Sequence, residues 1–486
     1  MDNIIAILDD TVPKSEIIRD VIGQKGFTDV VVKRRPLRTF FLETLQNVYP
    51  GAVCQVTYSI FDIQALLQRL EESNESIRVI HWFADCLIIE QKTVQLTLEK
   101  LAFIEDSYRM VDKHQQMVGI MFPGAAAYRR FLQKVCKVEN SRQAARDIAE
   151  TMPIDGIVDI GVVENFIQCV TGNFDSRYFN SLQGDNYTLV KSSKNKRKIK
   201  AEYTYYHLLP DDMKIWYVLP FDYQEHSDRS SYTMQRLQMT DLAIQWVHGS
   251  FNEVEFRQLM KMYFRFFADR HEKEVSQESY QKTAGELYVN KVVMRMEKLK
   301  TLPEYDVIAK FLEADTMEQS LDTIRDKYLS LKKRVEMRVT YPCRSVIGHG
   351  DPCFANALYN RSTRTLKFID PKGALSEEEL WTNPYYDIAK LSHSICGLYD
   401  FFNNGLYTVE VNQDFQYQLN LEFDNSGYKE IFKEFLTQYG YDYWSVRLYE
   451  TSLFLSMLPL HIDNPHKVLG FILNAKNILK EIEENV

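Results

Sequence analysis

Short apolar runs and helically spaced apolar positions alternate along the first third of the chain. Such alternation predicts an α/β domain with a mostly parallel sheet, because each strand needs a crossover helix before the next parallel strand. We place this domain at residues 1–175. Its strand-and-helix units are residues 3–8 with 14–22, 29–32 with 37–48, 54 to 70, and 77 to 96.

The pattern of apolar positions changes near residue 175. Strand-like segments at 187–190, 215–219 and 231–237 surround one helix-like stretch at 199–209. From residue 243 to about 335 the apolar spacing is helical, with a break at Leu302-Pro303, and a last amphipathic helix is expected at 468–484. We therefore predict a small β-rich lobe over 176–237 and a helical lobe over 238–486.

Composition limits the classes of partner. The chain has 486 residues, with 67 acidic and 58 basic side chains and a net charge of −9. This balance disfavours nucleic acid or an acidic membrane surface as a partner. We expect no membrane insertion or export, because no apolar run approaches about 18 residues and the first residues lack a basic region. Seven scattered cysteines without a C-x-x-C pair suggest reduced thiols in the cytoplasm.

The most informative segment runs from residue 347 to residue 373. Asp351 is followed by Asn356 five residues later, and a hairpin-like stretch then leads to Asp370. The hairpin brings the third side chain back beside the first two. This arrangement suits phosphoryl transfer, in which oxygen ligands hold Mg²⁺ on the nucleotide and a carboxylate takes the proton of an acceptor hydroxyl. We predict Asp351 as the base and Asn356 with Asp370 as Mg²⁺ ligands.

These motifs resemble the aminoglycoside phosphotransferase and choline kinase family, which shares the protein-kinase fold. His349-Gly350-Asp351 with Asn356 matches the family's catalytic loop, and Ile369-Asp370 matches its metal-binding strand end. The resemblance implies ATP and Mg²⁺ as cofactors, with His349 and Asp387 supporting the loop. The chain departs from the family in having Cys353-Phe354 where many members have Leu-His, and Pro-Lys-Gly after Asp370.

A plainer interpretation of these aspartates stays open. Asp351, Asp370 and Asp387 could be turn and helix-cap residues, which aspartate commonly is. The ordered occurrence of all three elements favours the kinase interpretation.

A kinase-like lobe also needs a lysine for the nucleotide phosphates and a glutamate that holds it. Lys191 ends a predicted strand, and Glu202 lies eleven residues later in the helix-like stretch. We predict this pair, with Lys194 as the rival lysine. Met234 and Leu237 fall where the resemblance places the contact with adenine, although a buried edge strand is an equal alternative. Residues 183–186 suggest a plain turn.

The first domain shows a second resemblance, to sugar and choline nucleotidyltransferases. Asp85 and Asp159 follow strands at places where that family holds Mg²⁺. The family's glycine-rich loop is missing, and the first strand leads into Asp9-Asp10, whose charges would repel a triphosphate. We expect a degenerate domain, in which Lys14 is either a relic of the family's Pro-Lys or an ordinary helix-start residue.

The acceptor is weakly specified by the sequence. Aromatic residues downstream of the metal motif could bind a sugar or an ammonium group, but core packing explains them better; they are Trp381, Tyr385, Tyr386, Tyr399 and Phe401. We predict a small-molecule kinase acting on a hydroxyl of a sugar, polyol or amino alcohol. The pairing of the two resemblances suggests capsule or surface-polysaccharide synthesis. The alternatives are a bifunctional kinase and nucleotidyltransferase, and a pseudokinase-like scaffold.

Overall fold

The structure is a computed structural model of the 486-residue chain. It describes residues 3–72, 77–171, 183–184, 187–237, 239–314, 320–413 and 416–486. The chain divides into two compact units, Met1–Asp175 with His248–Ser250, and Ser176–Val247 with Phe251–Val486. The predicted boundaries near 175 and 238 fall outside the described residues. Within the described ranges, no helix combines the length and apolar character needed to cross a bilayer.

The first unit contains strands and helices in alternation, as the apolar pattern predicts. Its strands are β1 (Asn3–Asp9), β2 (Val31–Val32), β3 (Arg35–Pro36), β4 (Val53–Thr57), β5 (Ile77–Phe83), β6 (Cys86–Ile88), β7 (Tyr108–Val111), β8 (Met117–Phe122), β9 (Thr151–Pro153) and β10 (Ile157–Asp159). Its helices are α1 (Glu16–Ile22), α2 (Leu37–Val48), α3 (Ile60–Glu72), α4 (Gln91–Leu98), α5 (Ala125–Val138), α6 (Ser141–Ala144) and α7 (Val163–Val170).

Six of these strands form one mixed sheet in the order β4-β1-β5-β8-β7-β9. Strand β1 is parallel to both β4 and β5, whereas β8 is antiparallel to β5 and β7. Strand β9 is parallel to β7 at the far end of the sheet. The α/β class is therefore confirmed, and the sheet is mixed, with parallel pairs at both ends and antiparallel pairs around β8. Strand β5 is almost fully buried, which explains its continuous apolar sequence.

The strand predicted at 29–32 is only partly confirmed. Phe27–Asp29 form a one-turn 3₁₀ helix, and only Val31–Val32 pair with β3. The reason is local: the backbone N–H groups of Phe27 and Thr28 donate to the Asp10 carboxylate at 2.9 and 2.8 Å. These bonds hold the backbone in a turn despite its β-branched residues.

The second unit begins with a strand-rich part and continues mainly as helices. Its strands are β11 (Gln183–Gly184), β12 (Thr188–Ser193), β13 (Pro220–Glu225), β14 (Ser230–Gln235), β15 (Thr240–Asp241), β16 (Glu272–Glu274), β17 (Arg344–Ile347), β18 (Ala357–Asn360), β19 (Thr365–Phe368), β20 (Trp381–Thr382), β21 (Thr408–Val411) and β22 (Tyr417–Asn420). Its helices are α8 (Lys196–Leu208), α9 (Leu242–Val247), α10 (Glu253–Ala268), α11 (Gln277–Gly285), α12 (Lys291–Lys300), α13 (Tyr305–Ala314), α14 (Leu321–Glu336), α15 (Pro384–Ile395), α16 (Tyr399–Asn403), α17 (Ser426–Gln438), α18 (Tyr443–Met457) and α19 (Pro465–Asn485).

Strands β11, β12, β14 and β13 form an antiparallel sheet, in that order. The turn predicted at 183–186 is therefore partly wrong, since Gln183–Gly184 pair with β12; residues 185 and 186 lie outside the described part. The strand predicted at 215–219 is also wrong, because strand β13 begins only at Pro220. Trp216 and Tyr217 are buried in the large core of the second unit, and this packing outweighs their β propensity.

The helical part is organised around one apolar core. Helix α18 is buried around nearly its whole circumference, between α15, α12 and α19. The predicted helical stretch from 243 to 335 contains one strand that its sequence does not indicate, since β16 is the charged and exposed run Glu-Lys-Glu. This strand pairs with β17, which leads into the segment carrying Asp351.

Candidate active site

The loop carrying Asp351 is fixed by a buried carboxylate from α15. Asp387 accepts hydrogen bonds from the backbone N–H groups of His349, at 2.9 Å, and Gly350, at 2.8 Å. Its charge is balanced by Arg270, whose Nη1 lies 3.2 Å away, and both side chains are fully buried. Gly350 has a φ of +84°, a conformation that glycine adopts without strain. The loop is thus held by its backbone, which leaves the Asp351 side chain to other contacts.

His349 links this loop to the strand end that carries Asp370. Its Nδ1 accepts from the Asp351 N–H and its Nε2 donates to the Ile369 carbonyl, both at 3.0 Å. This pair of bonds requires the neutral ring with the proton on Nε2. Burial lowers the pKa of His349, which agrees with a neutral ring. The Tyr217 ring stacks on it at a centroid distance of 5.8 Å.

The Asp351 carboxylate is accessible and negatively charged. Its side chain is 40% exposed, and its Oδ1 lies 2.9 Å from the Lys390 Nζ. Burial alone would raise the pKa of Asp351, but the Lys390 ammonium outweighs this effect and lowers it below its ordinary value. A carboxylate that is ionised and reachable at neutral pH can accept a proton from a bound hydroxyl.

The hairpin of β18 and β19 brings Asn356 beside the Asp370 segment. Ala357 pairs with Phe368, and the Ile369 N–H donates to the Asn356 carbonyl at 3.0 Å. The Asn356 Nδ2 donates to the Asp351 carbonyl at 2.9 Å, so its amide is oriented from the loop side. The predicted trio therefore lies on one loop and one hairpin, as the spacing suggests.

Asp370 adopts a left-handed backbone conformation, with a φ of +56°. Aspartate tolerates this region better than most residues, and such strain is common at functional positions. Its side chain is 39% exposed. An exposed carboxylate and a neighbouring amide are hard oxygen donors of the type Mg²⁺ prefers. The described residues contain no group of three or more His, Cys, Asp or Glu that could hold a metal alone, and a nucleotide-bound Mg²⁺ needs fewer protein ligands.

Lys191 joins Asp370 to the strand-rich part of the unit. Its Nζ lies 2.7 Å from both the Glu202 Oε2 and the Asp370 Oδ1. Burial would lower the pKa of Lys191, but the two carboxylates raise it above its ordinary value, so the ammonium stays charged. The Tyr232 hydroxyl also donates to Glu202, at 3.3 Å. The rival residue Lys194 is exposed and lies near Asp228, away from this pair.

Met234 and Leu237 contribute to a small apolar cluster beside Lys191. Buried Met234 packs with Ile199, Val218 and Tyr232, and Leu237 packs against the same group. Two further members come from the hairpin, Leu358 on β18 and Ile369 next to Asp370. The cluster thus lies next to Lys191 on the sheet and next to Asp370 on the hairpin.

The carboxylates of the first unit are also brought together, but each is bound by another protein group. Both oxygens of Asp85 accept from the Arg142 guanidinium, at 2.6 Å each. Asp159 accepts from Gln116 and from the Gly161 N–H. The Asp9 Oδ2 lies 2.9 Å from His81. A guanidinium therefore stands against the Asp85 carboxylate that the nucleotidyltransferase resemblance assigns to Mg²⁺.

Two charged residues of the site were missed by the sequence analysis. Arg270 pairs with Asp387 across 117 positions, and nothing in its neighbourhood marks it. Lys390 could have been found, because it follows Asp387 by three residues on a predicted helix and so lies on the same face. Of the aromatic acceptor candidates, Tyr385, Tyr386 and Phe401 belong to the apolar core. Trp381 and Tyr399 are partly buried and pack against it, and Tyr399 also stacks on His393 at 4.3 Å.

Comparison with solved structures gives matches to aminoglycoside phosphotransferase APH(4)-Ia. An apo form of a thermostable mutant has 12% identity and a TM-score of 0.36, covering 62% of this chain and 93% of that one. A ternary complex with ADP and hygromycin B has 10% identity and a TM-score of 0.36, covering 66% and 98%. A complex with AMP-PNP and hygromycin B has 10% identity and a TM-score of 0.37, covering 63% and 94%.

No family model matches the chain, and no curated protein matches it. Because the identities are only 10–12%, these matches assign no role to any residue of this chain. The roles proposed below are argued from the geometry of the chain itself.

Proposed function

We propose that the second unit is an ATP- and Mg²⁺-dependent kinase that phosphorylates a hydroxyl group of a small molecule. The observation that carries this proposal is the connected set of charges Glu202, Lys191 and Asp370, which reaches the hairpin that also positions Asn356 beside the Asp351 loop. Phosphoryl transfer needs little covalent chemistry from the protein and depends on positioned charges of this kind.

Each group has a distinct part in the proposed reaction. Asn356 and Asp370 would hold Mg²⁺, which neutralises charge on the nucleotide phosphates when bound. Lys191, held by Glu202, would contact the phosphates, and the apolar cluster around Met234 would receive the adenine ring. Asp351 accepts the proton of the acceptor hydroxyl, and the hydroxyl oxygen of the acceptor forms a bond to the γ-phosphorus. The bond between that phosphorus and the β,γ-bridging oxygen breaks, and ADP leaves.

The acceptor is proposed to be a sugar, polyol or amino alcohol. Tyr399 is the aromatic residue that we assign to the acceptor, because its partly buried ring stacks on His393, three residues after Lys390 on the same helix. Flat aromatic faces bind the apolar faces of sugars and quaternary ammonium groups.

A nucleotidyltransferase activity of the first unit is not favoured by its contacts. Mg²⁺ binding at Asp85 would require the two Arg142 hydrogen bonds to break, and the carboxylate is only 6% exposed. We propose that this unit does not hold the metal ion of a nucleotide-transfer reaction.

The proposal is tested with the full chain and Mg²⁺-ATP over a panel of sugars, polyols and amino alcohols, by measuring ADP release. Wild type should turn over at least one acceptor, and Asp351→Ala should abolish this turnover. Asp228→Ala removes an exposed aspartate and serves as the matched control. Equal ATP consumption by wild type and Asp351→Ala would show that the assigned mechanism is wrong.

A further inference from the structure

We propose that Lys390 is a catalytic residue of the second unit, which contacts the transferred phosphoryl group while it holds Asp351. This inference rests on the proposed kinase function and names a group that the sequence motifs do not include.

Lys390 reaches Asp351 from a different element. It lies on α15, three residues after Asp387, and its Nζ is 2.9 Å from the Asp351 Oδ1. Positions three apart share one face of a helix. One helix face therefore holds the loop twice, through its backbone at His349 and Gly350 and through the Asp351 side chain.

The environment of Lys390 is unusual for a lysine. Its side chain is only 13% exposed, and among the described residues its ion-pair partner is Asp351 alone. Burying an ammonium costs several kcal/mol, and replacing a buried ion pair by apolar side chains is often neutral or stabilising. Folding stability is therefore a poor reason for a cation at this position, whereas chemistry at Asp351 is a sufficient one.

The reaction itself calls for a cation at this position. The γ-phosphoryl group and the Asp351 carboxylate are both anionic and must approach the same acceptor oxygen, so they repel each other. The loop supplies no fixed positive charge, because residues 348–356 contain no lysine or arginine and His349 is neutral. Lys191 is engaged by Glu202 and Asp370 on the metal side. The side chain of Lys372 also packs on the loop, at Gly350. The lysine whose ammonium pairs with the Asp351 carboxylate is Lys390.

The other titratable groups near the pair do not replace this charge. They are Cys353 on the loop, Tyr386 and His393 on α15, and Tyr399 and Asp400 on α16. Burial raises the pKa of the Tyr399 hydroxyl to about 12 and that of the Cys353 thiol well above its ordinary value, so neither supplies a positive charge. Burial with neighbouring cations lowers the pKa of His393 well below its ordinary value. The ammonium of Lys390 is the cation of this group.

The test uses the full chain with three substitutions. Lys390→Gln keeps a hydrogen-bond donor for Asp351 but removes the charge, Lys390→Met removes both, and Lys390→Arg keeps the charge. Lys291→Met is the matched control, because the Lys291 Nζ contacts the Tyr386 hydroxyl of the same helix at 2.9 Å. The measurements are kcat, KM for ATP, Mg²⁺-ATP binding by calorimetry, and the melting temperature.

We expect kcat to fall on the order of 100-fold in Lys390→Gln and Lys390→Met, as for loss of one charge-stabilising contact. The KM for ATP and the calorimetric affinity should change less than about threefold, and Lys390→Arg should restore part of kcat. The melting temperature should fall only slightly, because the Asp351 side chain that loses its partner is 40% exposed and water can solvate it.

Two failures are distinguishable. Absence of turnover by wild type would refute the proposed kinase function itself. An active wild type with unchanged kcat in Lys390→Gln would refute only the role of Lys390. If Lys390→Met does not fold, the comparison of Lys390→Gln with Lys390→Arg still tests the inference. An equal loss of kcat in these two variants would mean that Lys390 has a structural role, and the inference would be wrong.

Discussion

Aspartates that follow strands occur in both units of the protein, but their surroundings differ. In the second unit, the Asp351 and Asp370 side chains are 40% and 39% exposed, and their ion-pair partners are lysines. In the first unit, Asp85 is 6% exposed and Asp9 is fully buried, and their partners are Arg142 and His81. The first set keeps carboxylate surface exposed to solvent, whereas the second is buried against its protein partners.

The comparison shows that residue type and position do not by themselves mark a functional site. A bidentate arginine neutralises a carboxylate and supplies both of its hydrogen bonds. A single lysine leaves carboxylate oxygens available and can move as a ligand enters. The predictions below test this contrast.

The largest expected effect follows from Asp370→Asn. Loss of the proposed metal ligand should lower kcat on the order of 1000-fold, because metal stabilisation of the transferred group is worth several kcal/mol. The measurement is ADP release at saturating acceptor. The matching variant, Asp85→Asn, should keep the wild-type kcat per folded molecule. Similar losses in both variants would remove the contrast between the units.

The next effect concerns stability of the first unit. Arg142→Met leaves the buried Asp85 carboxylate without its partner, which should cost about 3 kcal/mol. Hydrogen exchange measured by mass spectrometry should show faster exchange in β5 and β6 and unchanged exchange in α18. The double variant Asp85→Asn with Arg142→Met should recover most of the protection. If Arg142→Met alone leaves protection unchanged, the pair does not stabilise the unit.

A smaller effect is expected from pH. Burial alone would raise the pKa of Asp9, but the hydrogen bond and charge of His81 outweigh it and lower the pKa to about 2. Because this value is below the ordinary 3.8, Asp9 stabilises the first unit fully above about pH 4, and the stabilisation is lost as pH falls towards 2. The difference corresponds to about 2 kcal/mol.

Asp9→Asn should therefore be less stable than wild type at pH 7 and nearly equal to it near pH 2. Urea unfolding followed by the isoleucine methyl signals of Ile7 and Ile80 reports on the first unit, since both are buried there. A stability difference that persists undiminished at pH 2 would exclude this titration as the cause.

Parts of the fold could be predicted because their signal is local. Helix α2 has the predicted bounds, and the strands β1 and β5 are apolar runs that burial explains. The 3₁₀ turns at Phe27–Asp29 and Lys214–Trp216 could not be predicted. In the first, the Asp10 carboxylate accepts hydrogen bonds from the backbone N–H groups of Phe27 and Thr28. In the second, Trp216 and Tyr217 are buried in the core of the second unit. Both depend on contacts that appear only after folding.

The residues of the candidate site also fall into those that the local sequence predicts and those that it does not. Asp351, Asn356 and Asp370 lie within 20 residues of one another, so the hairpin alone brings them together. The pair of Lys191 and Glu202 could also be predicted, because the two residues lie on a strand and on the helix that comes next in the sequence. In contrast, Arg270 meets Asp387 across 117 positions, and Arg142 meets Asp85 across 57. Such pairs need the tertiary fold, and the second one changes the interpretation of Asp85.

The smallest effect separates two lysines that contact the same glutamate. Lys198 lies 3.6 Å from the Glu202 Oε1 but is 58% exposed, whereas Lys191 is 4% exposed at 2.7 Å. Exposed ion pairs contribute about 0.5 kcal/mol or less. Lys198→Ala should therefore leave the unfolding free energy within about 0.5 kcal/mol of wild type and kcat unchanged, whereas Lys191→Ala should lower kcat. A loss of kcat in Lys198→Ala would mean that Glu202 needs both cations, and exposure would then no longer separate the functional contacts from the incidental ones.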